Sequence, residues 1–137
     1  MKRKKLPISK KHLKETADQF WKLACIKAWG QNCEVCLAPG VDIHHFYPRN
    51  CYGILRLVIE NGVILCRGCH FKHHFKADPA IHQAVIEKRG KVWDNKLKKQ
   101  SQEEFISGQT IGYYKETIEE LKNYLEKKNP DYSGHKP

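Results

Sequence analysis

Two short cysteine pairs, Cys33-Glu34-Val35-Cys36 and Cys66-Arg67-Gly68-Cys69, constrain this chain more than any other feature. Each pair presents two thiolates from a tight knuckle. Together they fill the tetrahedral shell of one soft cation and leave no position for substrate, so structural zinc is the expected occupant. Whatever fold forms must then bring both ends of the segment 33–69 to one point. The other readings are a pair of disulfides, or one redox-active pair beside an incidental one. No βαβ pattern surrounds either pair, and residues 1–30 hold no apolar run of the secretory kind, so a reducing, cytoplasmic compartment is expected. A chain of 137 residues forms one domain with a limited core, in which a bound metal contributes folding energy directly. Cys25 reads as a small buried apolar residue, and Cys51 has no assigned role.

Around this frame the apolar pattern predicts mostly helix. Ser9 is a candidate cap for a helix of about five turns that carries Leu13, Ala17, Phe20, Trp21, Ala24 and Ala28 at helical spacing and stops at Gly30. Residues 41–46 and 62–65 read as short strands on either side of a loop with Pro48, Asn50 and Gly53. A helix is expected to open at His70, directly after Cys69. Asp78-Pro79 then caps and starts another, which runs to about Arg89 and is ended by Gly90. From about Thr110, Tyr114, Ile118, Leu121 and Leu125 recur at three and four residues, with glutamates ahead of lysines. No apolar stretch approaches the roughly 20 residues needed to span a bilayer, so no membrane segment is expected.

Charge narrows the partner. Lysine and arginine number 25 against 15 acidic residues, a formal charge of +10 with clusters at residues 2–5, 10–11 and 96–99. A single cluster of this kind usually just solvates a surface, but so large an excess in so small a chain is the footprint of a polyanion binder. Composition does not separate DNA from RNA.

Of the eight histidines, any one alone reads as an ordinary surface or hydrogen-bonded residue. Their placement says more. His44 and His45 are adjacent near the end of the first strand, where alternation sends them to opposite faces and so suits them to different tasks. His70 and His74 are four apart and project from one helical face, a metal-binding spacing. The cysteine frame ties the strands to the helix start and so draws the two sets together. His73, on another face, reads as a solvent or phosphate contact, while His82 and His135 carry no pattern.

At Asp42-Ile43-His44-His45-Phe46-Tyr47-Pro48, Glu60-Asn61-Gly62-Val63-Ile64-Leu65-Cys66 and Cys69-His70-Phe71-Lys72-His73-His74 the chain resembles the HNH (ββα-metal) endonuclease superfamily, in its zinc-stapled subgroup. The three motifs occur in order, and the resemblance spans residues 33–74. It implies an α+β fold: a small ββα-metal core with four-cysteine zinc knuckles, flanked by an N-terminal helix and C-terminal helices. The expected organisation is a basic disordered start at 1–8, a single domain at 9–128 and a disordered tail at 129–137. The domain divides into a core at 31–76 and flanking helices at 9–30 and 79–128.

Carried over residue by residue, the resemblance makes His44, His70 and His74 ligands of one catalytic divalent cation, His45 the general base and Asn61 the residue that orients it. The Asn61-Gly62 dipeptide is also a common turn ahead of a strand. Many members have aspartate where this chain has His44. Three imidazoles therefore leave magnesium, manganese and softer transition metals all open as the cation, and Asp42 is a candidate to join the shell. Arg49 and Arg56, in the loop between the strands, together with Lys72 and His73, are the expected nucleic-acid contacts, although Arg56 equally fits a strand-edge charge.

A second resemblance, to the NinG/Rap phage recombination nucleases, rests on Leu55-Arg56-Leu57-Val58-Ile59-Glu60-Asn61, on Ile86-Glu87-Lys88-Arg89-Gly90 and on a closing amphipathic helix. It implies action on branched DNA in recombination, with a host-cytoplasm location for a phage-encoded chain. It also puts Trp93 and Lys96–Lys99 on an accessory helix that holds a DNA arm or simply packs and solvates. A symmetric junction suits a homodimer, for which Ile118, Leu121 and Leu125 are the candidate interface. The expected function is thus a metal-dependent HNH endonuclease on DNA. The alternatives are a non-catalytic zinc-stapled nucleic-acid-binding module and a metal-buffering or interaction protein.

Overall fold

The computed structural model describes residues 8–40, 42–47, 53–75, 79–102 and 110–127. Among these, α1 (Lys10–Trp29) is followed by β1 (Asp42–His45), 3-10 turns at Gly53–Leu55 and Ile59–Asn61, and β2 (Gly62–Leu65). The helices α2 (Arg67–Phe75), α3 (Pro79–Arg89), α4 (Lys91–Ser101) and α5 (Ile111–Glu126) complete the order. The architecture is α+β. β1 and β2 form one antiparallel pair in the register Asp42 to Leu65, Ile43 to Ile64, His44 to Val63 and His45 to Gly62. No helix among the described residues is long and apolar enough to cross a membrane.

The two-residue period of the strands sorts side chains into two cores, one on each face of the hairpin. On one face Phe46, Val63 and Leu65 pack with Leu55, Ile81, Val85, Trp93 and Leu97 from the turn, α3 and α4. On the other, Ile43 lies against a core of Leu13, Ala17, Trp21, Ala24 and Cys25 of α1, Leu57, and Tyr114, Ile118 and Leu121 of α5. Every residue of β2 is buried, so the hairpin is the middle layer of three. Gly62 makes this closeness possible, since a Cβ there would collide with Cys25 Sγ and lie 3.2 Å from Trp21 Cζ2.

Most helix boundaries follow the expected signals. Ser9 accepts the His12 N–H at 3.1 Å and Thr110 accepts that of Tyr113 at 3.1 Å, so a hydroxyl satisfies an orphan donor at the start of α1 and of α5. Two boundaries differ. α2 opens at Arg67 rather than His70, because the Cys66 thiolate takes the Cys69 N–H at 3.4 Å and the Cys66 carbonyl takes that of His70 at 2.9 Å. Gly90, with φ of +94°, ends α3 and at once starts α4. Its N–H reaches Ile86 O at 2.7 Å, and its own carbonyl receives Asp94 N–H at 3.3 Å. The stripe of Ile118 and Leu121 is covered by α1 within the chain.

Candidate active site

The segment 33–69 does close on itself. Cys33, Cys36, Cys66 and Cys69 bring their Sγ atoms within 4.8 Å of one another, the one such group of three or more potential ligands among the described residues. Thiolates at about 2.3 Å from a tetrahedral zinc stand roughly 3.8 Å apart, and Cys36 and Cys66 are 3.6 Å apart. The donor set and spacing fit zinc. Burial opposes ionisation of Cys33, but the backbone amides of Cys36, Cys66 and Val35 outweigh it and bring the thiol down to about 6. Burial pushes the Cys69 thiol up. Leu37, the knuckle residue after Cys36, is the one non-glycine among the described residues at positive φ, 67°, and its N–H returns to Cys33 O at 2.9 Å.

The knuckle is anchored by an ion pair that sequence reading missed. Arg89, at the end of α3, meets the Glu34 carboxylate with Nε at 2.8 Å and Nη2 at 2.6 Å. It also donates to Glu60 O at 2.9 Å and Gly62 O at 2.7 Å. Its guanidinium lies 3.8 Å over the Trp29 ring. Glu34 in turn accepts the Ile64 N–H at 2.9 Å. The two side chains are 4% and 2% exposed. A glutamate inside a CxxC motif gives no sequence signal of this burial. The only hint was Gly90, which marks where α3 stops and Arg89 turns inward.

Beside the knuckle, β1 and the start of α2 bring histidines together. His44 is buried on the face shared with α2. Its ring centroid is 4.8 Å from that of His70 and 4.7 Å from that of His73. The His44 and His70 ring planes are tilted 51° from each other in this contact. His70 Nδ1 stands 2.8 Å from Asp42 Oδ2. A carboxylate oxygen can only accept, so Nδ1 carries a proton toward Asp42, and Nε2 is buried. Asp42 thus reaches His70, two residues before His44 on the same face of β1. The side chain of His74 lies outside what the structure describes. His73, expected at solvent or phosphate, is partly exposed and also makes a T-shaped ring contact with His44.

His45 points to the opposite face, as alternation requires. Its ring stacks on Trp21 with centroids 4.2 Å apart and planes 6° from parallel. Its Nε2 is 2.9 Å from the carbonyl of Arg56, and since that oxygen accepts, Nε2 bears a proton. Asn61, fully buried, accepts Tyr47 N–H at 2.9 Å and donates to Tyr47 O at 3.1 Å and Leu55 O at 3.2 Å. It therefore pins the backbone just after His45 to the turn ahead of β2. These bonds run to backbone, so Asn61 bears on His45 through the chain.

The expected nucleic-acid contacts divide. Lys72 is exposed on α2. Arg56 is corrected: it is 7% exposed and makes a two-point pair with Asp18 at 3.2 and 2.7 Å, so its guanidinium faces α1 rather than a phosphate. Arg49 lies outside the described residues, as does Cys51. Trp93, expected on an accessory helix, is buried on α4 with its indole N–H on Glu60 O at 2.9 Å, while Lys96 and Lys99 of the same helix are exposed. No family model, curated protein or solved structure matches the chain.

Proposed function

We propose that the chain is a metal-dependent endonuclease of the HNH type that hydrolyses DNA phosphodiester bonds, with branched DNA as its preferred substrate. The observation that carries the reading is the approach of His44 on β1 to His70 on α2, 4.8 Å between rings, in a hairpin followed at once by a helix. With His74 they make the ligand set, and His70 comes with its Nδ1–H held by Asp42. His44, His70 and His74 would hold the divalent cation, which when bound would polarise the phosphate and stabilise charge on the departing 3′ oxygen.

The protein's own residues supply the rest. Nδ1 of His45 takes a proton from water as the water oxygen bonds to phosphorus, the bond to the 3′ oxygen breaks, and that oxygen is protonated from solvent. An imidazole suits this task because its ordinary pKa lies near neutrality. Asn61 keeps the β1 end and the following turn in register. The +10 charge favours a polyanionic substrate, and exposed Lys72 lies on the helix that bears His70.

Metal binding tests the site directly. Calorimetric titration of manganese into the zinc-loaded protein is expected to give one site, lost in His44→Ala and His70→Ala and weakened about 10- to 100-fold in Asp42→Asn. Wild-type protein that binds no manganese beyond its zinc would overturn the proposal.

A further inference from the structure

Two residues of α1, Trp21 and Asp18, converge on His45 from outside the hairpin-and-helix core. Trp21 is fully buried and is itself fixed, since its indole N–H donates to Val58 O at 2.8 Å. Its ring lies parallel to the imidazole at 4.2 Å, which leaves His45 no room to tilt toward α1. Clearance for this stack comes from Gly62, the register partner of His45. Any side chain there would press on Trp21 and Cys25. Asp18, one turn earlier on the same helix, accepts from Nε and Nη2 along one edge of the Arg56 guanidinium, and Arg56 is the residue whose carbonyl receives the His45 Nε2–H. The imidazole is thus held on its face by one α1 side chain, and at its edge by a carbonyl that another α1 side chain secures.

From this geometry we infer that α1 is part of the working site, with Trp21 and Asp18 as positioning residues that hold His45 in one orientation, with its Nε2–H on the Arg56 carbonyl. The inference rests on the reading of His45 as the base for its consequence in catalysis, but the clamp is measurable without any reaction. A ring able to flip would present Nδ1 or Nε2 in turn, and misplacement of a reacting group by about 1 Å can cost on the order of 100-fold in rate.

The test uses full-length, zinc-loaded protein labelled with 15N-histidine, observed by NMR about two units above the ordinary histidine pKa, where the imidazoles are neutral. Wild type is expected to show His45 as a single Nε2–H tautomer, its ring protons shifted upfield by the indole. Trp21→Phe should keep both features. Trp21→Leu should lose the ring shift, and both it and Asp18→Asn should show mixed tautomers. In single-turnover nicking at saturating DNA the same two variants should slow on the order of 100-fold with DNA affinity unchanged, and Trp21→Phe should recover most of the rate. A single Nε2–H tautomer in folded Trp21→Leu and Asp18→Asn would overturn the clamp. Should Trp21→Leu not fold, Asp18→Asn decides, because the Asp18 side chain is 24% exposed and asparagine keeps its shape. Absence of nicking by wild type would sink the nuclease reading, while the tautomer measurement still decides the clamp.

Discussion

Arg89 and Glu34 form a nearly dry ion pair whose remaining donors and acceptors are taken up by the carbonyls of Glu60 and Gly62 and by the Ile64 amide. Removing one partner strands the other charge in the interior, so Glu34→Ala should cost about 3–5 kcal/mol in urea unfolding. A double replacement by apolar residues of similar volume should cost much less. Little of this pair was legible, because burial of a charge depends on partners far apart in sequence. The cysteine quartet was legible, because spacing within each CxxC pair already dictates a knuckle. Gly62 lies between these cases. Asn61-Gly62 read as a turn, yet the position is a strand residue that must lack a side chain where α1 crosses it. Gly62→Ala is expected to destabilise the fold by about 1–3 kcal/mol. Cys25→Ala in the same chain should recover part of that loss, a coupling that a double-mutant cycle would measure. Arg56 shows the reverse error, in which a basic residue in a loop near candidate phosphates turned out to be committed to Asp18.

At the scale of elements, α1 and α5 follow from their apolar spacing and their caps, and α3 begins at Pro79 as expected, while its expected cap Asp78 lies outside the described residues. α4 was expected as an accessory helix carrying Trp93 and Lys96–Lys99, but where it starts was hidden behind an expected helix stop. A glycine at φ of +94° ends one helix whether or not another begins, and the sequence signal for a stop is blind to the restart. The pairing of α1 with α5 could not be read either, since a stripe of Ile118 and Leu121 fits a partner chain as well as a neighbouring helix. Lys27 secures the pair by donating to the carbonyls of Tyr124 at 2.6 Å and Leu125 at 3.2 Å, and to that of Lys127, at the end of α5 where a cation is favoured. Leu121→Ala should therefore cost about 2–5 kcal/mol of folding stability, with the loss independent of protein concentration. A concentration-dependent unfolding midpoint would instead place that stripe between chains.

For the molecule as a whole, the metal knuckle, the buried hairpin and the candidate base are mechanically linked. Glu34 lies within the knuckle, bonds β2 and receives Arg89, and Asn61 joins both sides of the hairpin loop. Stripping zinc with a strong chelator should thus lower the thermal midpoint and disorder the hairpin, not merely free the cysteines. Acid should act in the same direction. The Cys33 thiol sits at about 6, below its ordinary value of 9.0. Its thiolate contribution to the folded state is therefore complete above that ordinary value and is lost as pH falls through about 6. Zinc content measured after dialysis across this range should drop on the acid side. The general outline, a cysteine-framed α+β core with flanking helices, was readable from motif order. Alternation placed His44 and His45 on opposite faces, but what covers each face was not readable, because it depends on which helices pack against the hairpin.

If His45 is the base of a metal-dependent DNA hydrolase, cleavage of a supercoiled plasmid and of a synthetic four-way junction by wild type and His45→Ala, with magnesium, manganese or chelator, will show it. Metal-dependent nicking by wild type, faster on the junction and lost in His45→Ala with DNA binding retained, is the predicted result. Equal binding with no cleavage by either protein under any metal would contradict it and leave a zinc-stapled binding module.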